Sequence, residues 1–292
     1  MSYKTIVVNS DGAANAACLD VAADLAERFG AHLVGVHAQP PLEAPVFVEG
    51  SLPMNSLVKA YEQTTQAETA AASAAFDKAI KGRHLSSEWR VAEGQPADEL
   101  AVQARYADLL VMSQADPQST IPQPDDLVET VALSTGRPVV VVPHIGVAKQ
   151  PGKTVLLCWN ASREAARAAS DALPFLRQAD KVIVLVIDPK VSANGHGAEP
   201  GADVATWLAR QGVKVTVQRD VATATDVGNV ILSRAADHDV DLIVMGVYGH
   251  SRLRELVLGG ASRTVLSSMT VPVLMTHWSR LPLTPPRGNM ES

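Results

Sequence analysis

Short aliphatic runs and longer amphipathic stretches alternate along the chain up to about position 276. Ile6-Val-Val, Leu33-Val-Gly-Val and Leu109-Leu-Val-Met are continuous apolar runs, too short for helices and lacking the polar alternation of a strand with one face in water. They read as strands buried on both faces, the kind found in parallel sheets. Alternation with helical stretches implies βαβ units and an α/β fold. Strands are predicted near 4–10, 32–38, 87–92, 108–113 and 138–143, with helices at about 13–29, 57–82, 96–106 and 125–135. A second series follows: strands near 153–159, 181–187, 213–218, 241–246 and 272–276, and helices at about 162–178, 202–211, 225–238 and 251–268.

The second series repeats the first. Lys4-Thr-Ile-Val-Val aligns with Lys153-Thr-Val-Leu-Leu, which sets Asp11 against Asn160. Asp108-Leu-Leu-Val-Met matches Asp241-Leu-Ile-Val-Met, and Arg137-Pro-Val-Val matches Val271-Pro-Val-Leu. Two tandem copies of one doubly wound parallel-sheet domain explain this order, one over 1–146 and one over 152–280, with a flexible Pro-rich tail at 281–292. Pro-rich 40–53 and Gly-rich 189–201 fall after the second strand of each copy and read as surface loops. The apolar last strands, near 139–142 and 273–275, would be unprotected edges in a lone domain. They are predicted to pair with each other inside the chain, which leaves further homodimerisation open.

Composition narrows the class. Aromatic residues make up only 4% of the 292 positions, so the cores are aliphatic. A formal charge of −6 argues against a nucleic-acid surface or an anionic membrane partner, and no apolar run approaches membrane-spanning length. The start of the chain has no signal-type segment, and the two cysteines, Cys18 and Cys158, occupy corresponding segments of the copies; both facts suit a reduced, cytoplasmic protein. No Cys or His spacing suggests a metal, and no Gly-x-Ser-x-Gly elbow suggests acyl transfer. The P-loop-like Gly146 to Thr154 stretch has one residue too many between its glycines and leads into a strand instead of a helix.

Candidate chemistry lies where parallel strands end and their order reverses. In the second copy those positions are Trp159, Asn160, Ala161 and Ser162 after strand one, then Val186, Ile187 and Asp188 around the end of strand two. After strand four come Gly246, Tyr248, Gly249, His250 and Arg252, continued by Gly259, Gly260, Ala261 and Ser262. Backbone amides of such a loop, with the positive end of the next helix, suit a phosphate, although a tight turn with close helix packing explains the glycines equally well. Asn160 offers the donors and acceptor that a base or ribose edge needs, or it caps the next helix. Asp188 reads as a ribose ligand or an Asp-Pro turn, and His250 and Arg252 as phosphate contacts or solvated residues. In the first copy the loop glycines are replaced by Ser113-Gln-Ala-Asp116, and Gly259-Gly260 by Asp125-Asp126. Those carboxylates repel a polyphosphate, so the first copy reads as degenerate.

These residues resemble the universal stress proteins in their tandem two-domain bacterial form. Ile6-Val-Val-Asn-Ser-Asp11-Gly12 and Val155-Leu-Leu-Cys-Trp-Asn160-Ala-Ser162 are similar to the family's first strand and its Asp-Gly-Ser turn. Gly246-x2-Gly249-x9-Gly259 resembles its nucleotide loop, Gly-x2-Gly-x9-Gly-Ser/Thr. The resemblance implies a Rossmann-like, adenine nucleotide alpha hydrolase-like fold with strand order 3-2-1-4-5, domains paired through their last strands, and a stress-response role. It implies an adenine nucleotide such as ATP in the second domain, Mg²⁺ only alongside ATP, and a protein partner that reads the occupied state. Two positions depart from the pattern. Asn160 stands where the family has Asp, and Gly260 where it has Ser or Thr, so an acceptor loses its charge and a hydroxyl is lost. A nucleotide-binding sensor or adaptor is the expected function. The rivals are an interaction module that binds no nucleotide and a slow ATPase.

Overall fold

Each aliphatic run becomes a strand within a residue or two of its predicted bounds. The computed structural model describes residues 2–11, 16–42, 54–117, 126–189, 196–222, 225–247, 249–252 and 255–277. The first half runs β1 (Thr5–Asn9), α1 (Ala16–Phe29), β2 (His32–Gln39), α2 (Met54–Ile80), β3 (Ser87–Glu93), α3 (Pro96–Ala104), β4 (Leu109–Ser113), α4 (Leu127–Ser134) and β5 (Val139–Val142). The second runs β6 (Thr154–Cys158), α5 (Arg163–Asp171), α6 (Leu173–Leu176), β7 (Lys181–Ile187), α7 (Ala202–Arg210), β8 (Val215–Asp220), α8 (Val227–Asp237) and β9 (Leu242–Val247). It ends with β10 (Gly249–Arg252), β11 (Glu255–Leu258), α9 (Gly260–Ser268) and β12 (Val273–His277).

Ten of these strands form one sheet in the order β3-β2-β1-β4-β5-β12-β9-β6-β7-β8. Each half therefore has the expected 3-2-1-4-5 order, with parallel neighbours throughout. The halves meet where the last strands pair antiparallel, Val141 opposite Val273 and Val139 opposite Met275. Val139 to Val142 are fully buried by this pairing, which removes the apolar edge that each half would otherwise expose. Because the junction is antiparallel and in plane, equivalent helices of both halves cover the same face. Alternate side chains feed two cores, with Val140, Val142 and Leu274 facing α1, α2 and α5–α7 and Val139, Val141, Val273 and Met275 facing α3, α4, α8 and α9.

The repeated aspartates have one job. Asp108 accepts from the backbone amides of Lys4 (2.7 Å) and Thr5 (3.0 Å), tying the start of β1 to β4. Asp241 does the same for β6, accepting from Gly152 (2.7 Å), Lys153 (3.0 Å) and Thr154 (3.0 Å). A second joint between the halves lies on the α1 face. Tyr3, Phe29 and Phe175 pack with ring centroids 5.0–5.6 Å apart, and Arg28 lies over the Phe29 and Phe175 rings and donates to the Pro151 carbonyl at 2.7 Å.

Two predicted helices differ from what forms. The helix expected over 251–268 begins only at Gly260, and the preceding residues make an antiparallel hairpin, Gly249 opposite Leu258. A pair of glycines at 259 and 260 costs about 1 kcal/mol each inside a helix, so helix cannot run through them, and the β-prone Glu255-Leu-Val-Leu pairs instead. The helix expected over 162–178 breaks at Ala172, because Pro174 has no N–H and seats best in the first turn of a new helix, α6. Positions 13–15, 43–53 and 190–195, Asp125 and the tail at 281–292 lie outside the described residues.

Candidate functional site

At the carboxyl ends of the second-half strands a cavity of about 240 Å³ opens between β6, β7, β9 and the starts of α8 and α9. Its walls come from Cys158, Trp159 and Asn160 on β6 and beyond, Leu185 and Ile187 on β7, and Met245 and Gly246 on β9. Ala165 of α5 and Val227 and Ile231 of α8 complete the apolar part, while Gly259, Gly260, Ala261 and Ser262 form one end. None of these described lining residues carries a charged side chain.

The chain turns into α5 through a tight local network. Ser162 is the N-cap, accepting from the Ala165 amide at 3.1 Å. Asn160 is not the cap: its Oδ1 accepts from the Ser162 amide at 3.1 Å in an Asx turn, which orients the side-chain amide so that Nδ2 remains to meet a ligand. Ala161 between them sits at φ 58°, a left-handed conformation that strains any residue with a Cβ. Gly246 is required by packing. A Cβ there would lie 2.4 Å from the Glu164 carbonyl carbon and 2.6 Å from the Ala165 nitrogen, so the end of β9 presses directly on the first turn of α5.

At α9 the geometry is open. The Gly259 carbonyl accepts from the Arg263 amide at 3.1 Å, and the N–H groups of residues 260–262 have no acceptor within the helix. A Cβ at Gly260 would meet no atom within 4 Å. Those amides, with the helix dipole behind them, suit an anionic group at this end of an otherwise neutral cavity. Burial pushes the Cys158 thiol up to about 12, so it lines the wall uncharged at neutral pH.

Of the sequence candidates, Trp159, Asn160, Gly246, Gly259, Gly260, Ala261 and Ser262 converge on the cavity, while Ala161 and Ser162 shape its entrance turn. Val186 does not take part through its side chain. Strand alternation sends it into the fully buried core on the opposite face, and its neighbour Ile187 faces the cavity. Asp188 is an exposed turn residue at φ 46° whose carboxylate accepts from the Ala222 amide at 3.3 Å. Tyr248 lies outside the described residues, and Gly249, His250 and Arg252 are described only as backbone of β10. The apolar walls at Leu185, Met245, Val227 and Ile231 were missed. Strand parity could have found the first two.

The first half is open elsewhere: a cavity of about 960 Å³ lies beyond β2 and β3, lined by Gln39, Glu93 and Gly94 and by Tyr61, Thr65 and Thr69 of α2. After β4, Gln114 reaches across to α9 and donates to the Leu266 carbonyl at 2.6 Å. Asp11 is half-buried, and desolvation raises its carboxyl pKa against the opposing effects of Asn9 and His37. Among the described residues there is no cluster of three metal-ligating side chains and no helix long and apolar enough to cross a membrane.

Comparison with known proteins agrees with this architecture. A model of the universal stress protein family matches residues 2–143 and again 152–277. A curated universal stress protein of Synechocystis is 36% identical over 87 residues, which is 30% of this chain and 27% of the relative's length. The solved structure of a universal stress protein from Archaeoglobus fulgidus superposes with a TM-score of 0.67 at 15% identity, covering 94% of this chain and 98% of that one. A Pseudomonas aeruginosa protein described as functionally unknown gives 0.55 at 14% identity, over 94% of this chain and 92% of that one. At such identities these structures speak to the fold alone.

Proposed function

The chain belongs to the universal stress protein family, and from that premise we propose that its second half binds an adenine nucleotide, ATP or a close relative, and works as a nucleotide-responsive adaptor. One observation carries the reading: a neutral, mainly apolar cavity at the strand ends that closes on the amino-terminal amides of α9, residues 260–262, which have no acceptor within the helix. Leu185, Ile187, Met245 and Ile231 suit a flat apolar base, the Asn160 amide suits a polar edge of the nucleoside, and the α9 amides suit phosphate. At about 240 Å³ the cavity is below the usual range for drug-sized ligands, so it accommodates the nucleoside end and leaves outer phosphates, with any Mg²⁺, toward the β10–β11 hairpin. No acid or base side chain lines the described walls to activate a water, which favours binding over rapid hydrolysis. The reading carries a cytoplasmic location, where such nucleotides are abundant, and a protein partner that senses the hairpin.

The rival is an interaction module without nucleotide. It draws support from Gly246, whose lack of a side chain is fully accounted for by α5 packing. Gly260→Asp separates the two readings, because the new Cβ meets nothing and a carboxylate in the first turn of a helix is benign for folding but repels phosphate. On the nucleotide reading, ATP at a hundred times its Kd stabilises the unmutated chain by about 2.7 kcal/mol, and Gly260→Asp unfolds at the same temperature without ATP but loses that gain. No ATP shift in the unmutated chain, with no adenine nucleotide released on denaturing freshly purified protein, would leave the interaction module standing.

A further inference from the structure

α9 supplies the anion-facing end of the cavity, yet it is nine residues long, a length that is marginal for a helix without outside support. Its last four carbonyls have no acceptor role within the helix, and the residue after it, Met269, is extended at φ −66°, ψ 140° with no capping bond of its own. One of those carbonyls, that of Leu266, receives the Gln114 Nε2–H bond at 2.6 Å from the other half of the molecule, 152 positions away.

Gln114 is itself held on every side. Its backbone amide donates to Val142 at 2.7 Å, and its Oε1 accepts from the His144 backbone amide at 3.2 Å and lies 3.0 Å from His144 Nδ1. Since Oε1 accepts from the His144 backbone amide, the side-chain amide presents its NH₂ to Leu266, and a turned amide would set donor against donor at His144. Beside the bond lies a cavity of about 230 Å³ bordered by Leu127 and Val128 of α4 and by Arg263, Leu266 and Ser267 of α9. Without the bond, α9 has room to shift. The brace runs both ways across the junction, because α4 packs on β11 and β12 of the second half.

We propose that Gln114 is a positioning residue for the second-half site: the degenerate first half caps the carboxyl end of α9 and thereby fixes where its amino-terminal amides stand at the cavity. The affinity part of this inference rests on the nucleotide reading above; the brace itself does not. In the repeat, the position of Gln114 corresponds to Val247, which has no side-chain donor, so the device belongs to the first half alone.

The test uses the full chain with Gln114→Leu and Gln114→Glu, the latter placing an acceptor against the Leu266 carbonyl. Hydrogen–deuterium exchange is followed over residues 260–268 without ligand, and ATP affinity is measured by titration calorimetry. Both variants are expected to exchange faster in α9 while β1 and β6 keep their protection, and to bind ATP about three- to tenfold more weakly, the loss expected for one hydrogen bond. Tyr3→Phe, which removes the 2.7 Å bond to the Asp171 carbonyl on the opposite face, serves as the control for general destabilisation and should leave both readouts unchanged. Unchanged α9 exchange in the Gln114 variants overturns the brace. Faster exchange with unaltered ATP affinity overturns the positioning role. An unmutated chain that takes up no ATP overturns the nucleotide reading, and the exchange arm still decides the brace.

Discussion

Replacing Asp241 by Asn should cost more stability than any other isosteric change at the start of a strand in this molecule. The carboxylate is 5% exposed and serves three consecutive backbone amides, with Oδ1 on Gly152 and Lys153 and Oδ2 on Lys153 and Thr154, at 2.7–3.2 Å. An asparagine keeps one oxygen; its NH₂ must then face a backbone donor, whichever way the amide is turned. One charge-assisted bond is lost, a backbone N–H is left unpaired, and the surviving bonds lose their charge, which together comes to about 3 kcal/mol. For a chain of this size that is a fall of roughly 6–10 °C in Tm. Asp108→Asn is the internal comparison, since it is the same residue in the repeat. Both amides there bond to Oδ2 alone, so a turned asparagine can offer its carbonyl to both and loses only charge, in a more exposed setting, about 1 kcal/mol. Urea unfolding followed by circular dichroism, with m-values checked for a common transition, measures both. Equal losses, or a loss below about 1 kcal/mol at Asp241, would refute the claim that amide count and burial set the cost.

Ala161→Gly should raise stability by about 1 kcal/mol in the same assay, because glycine removes the strain at φ 58°; a lower midpoint would show that the strain is not there. Cys158, its thiol raised to about 12, should react with iodoacetamide at neutral pH on the order of a thousandfold more slowly than a free cysteine and at the ordinary rate in denaturant, so rapid native labelling counts against the burial described. Asp11, whose carboxyl is raised by burial, favours the fold below the ordinary carboxylate range and loses that contribution as pH rises through its folded pKa. Asp11→Asn should therefore be more stable than the unmutated chain at pH 7, with the advantage vanishing on acidification; a less stable variant at pH 7 sinks the assignment.

What could be read from local pattern and what could not divide along a physical line. Continuous aliphatic runs such as Val139–Val142 must be buried on both sides wherever they are, so the strands and even the pairing of the two bare edges followed from the residues themselves, while the strand order came with the family resemblance. Roles that depend on which distant backbone arrives did not. Gly246 is compatible with a ligand or with a helix, and only the 2.4 Å approach of Glu164 selects the helix. Val186 and Ile187 are interchangeable by type, and a register of one residue sends the first to the far core and the second to the cavity. The sharpest case is the first-half loop. Read locally, Ser113-Gln-Ala-Asp116 is a spoiled phosphate loop, its glycines replaced by bulk and charge. In the fold, the residue between the two lost glycine positions, Gln114, donates its hydrogen bond to α9, the helix that frames the second-half cavity. A glutamine side chain is long enough to span the junction to a helix-end carbonyl, which the valine at the matching second-half position cannot do. The lost glycines and the bracing side chain are thus neighbouring but separate positions of one loop, and the Gln114 variants test the brace without restoring a glycine.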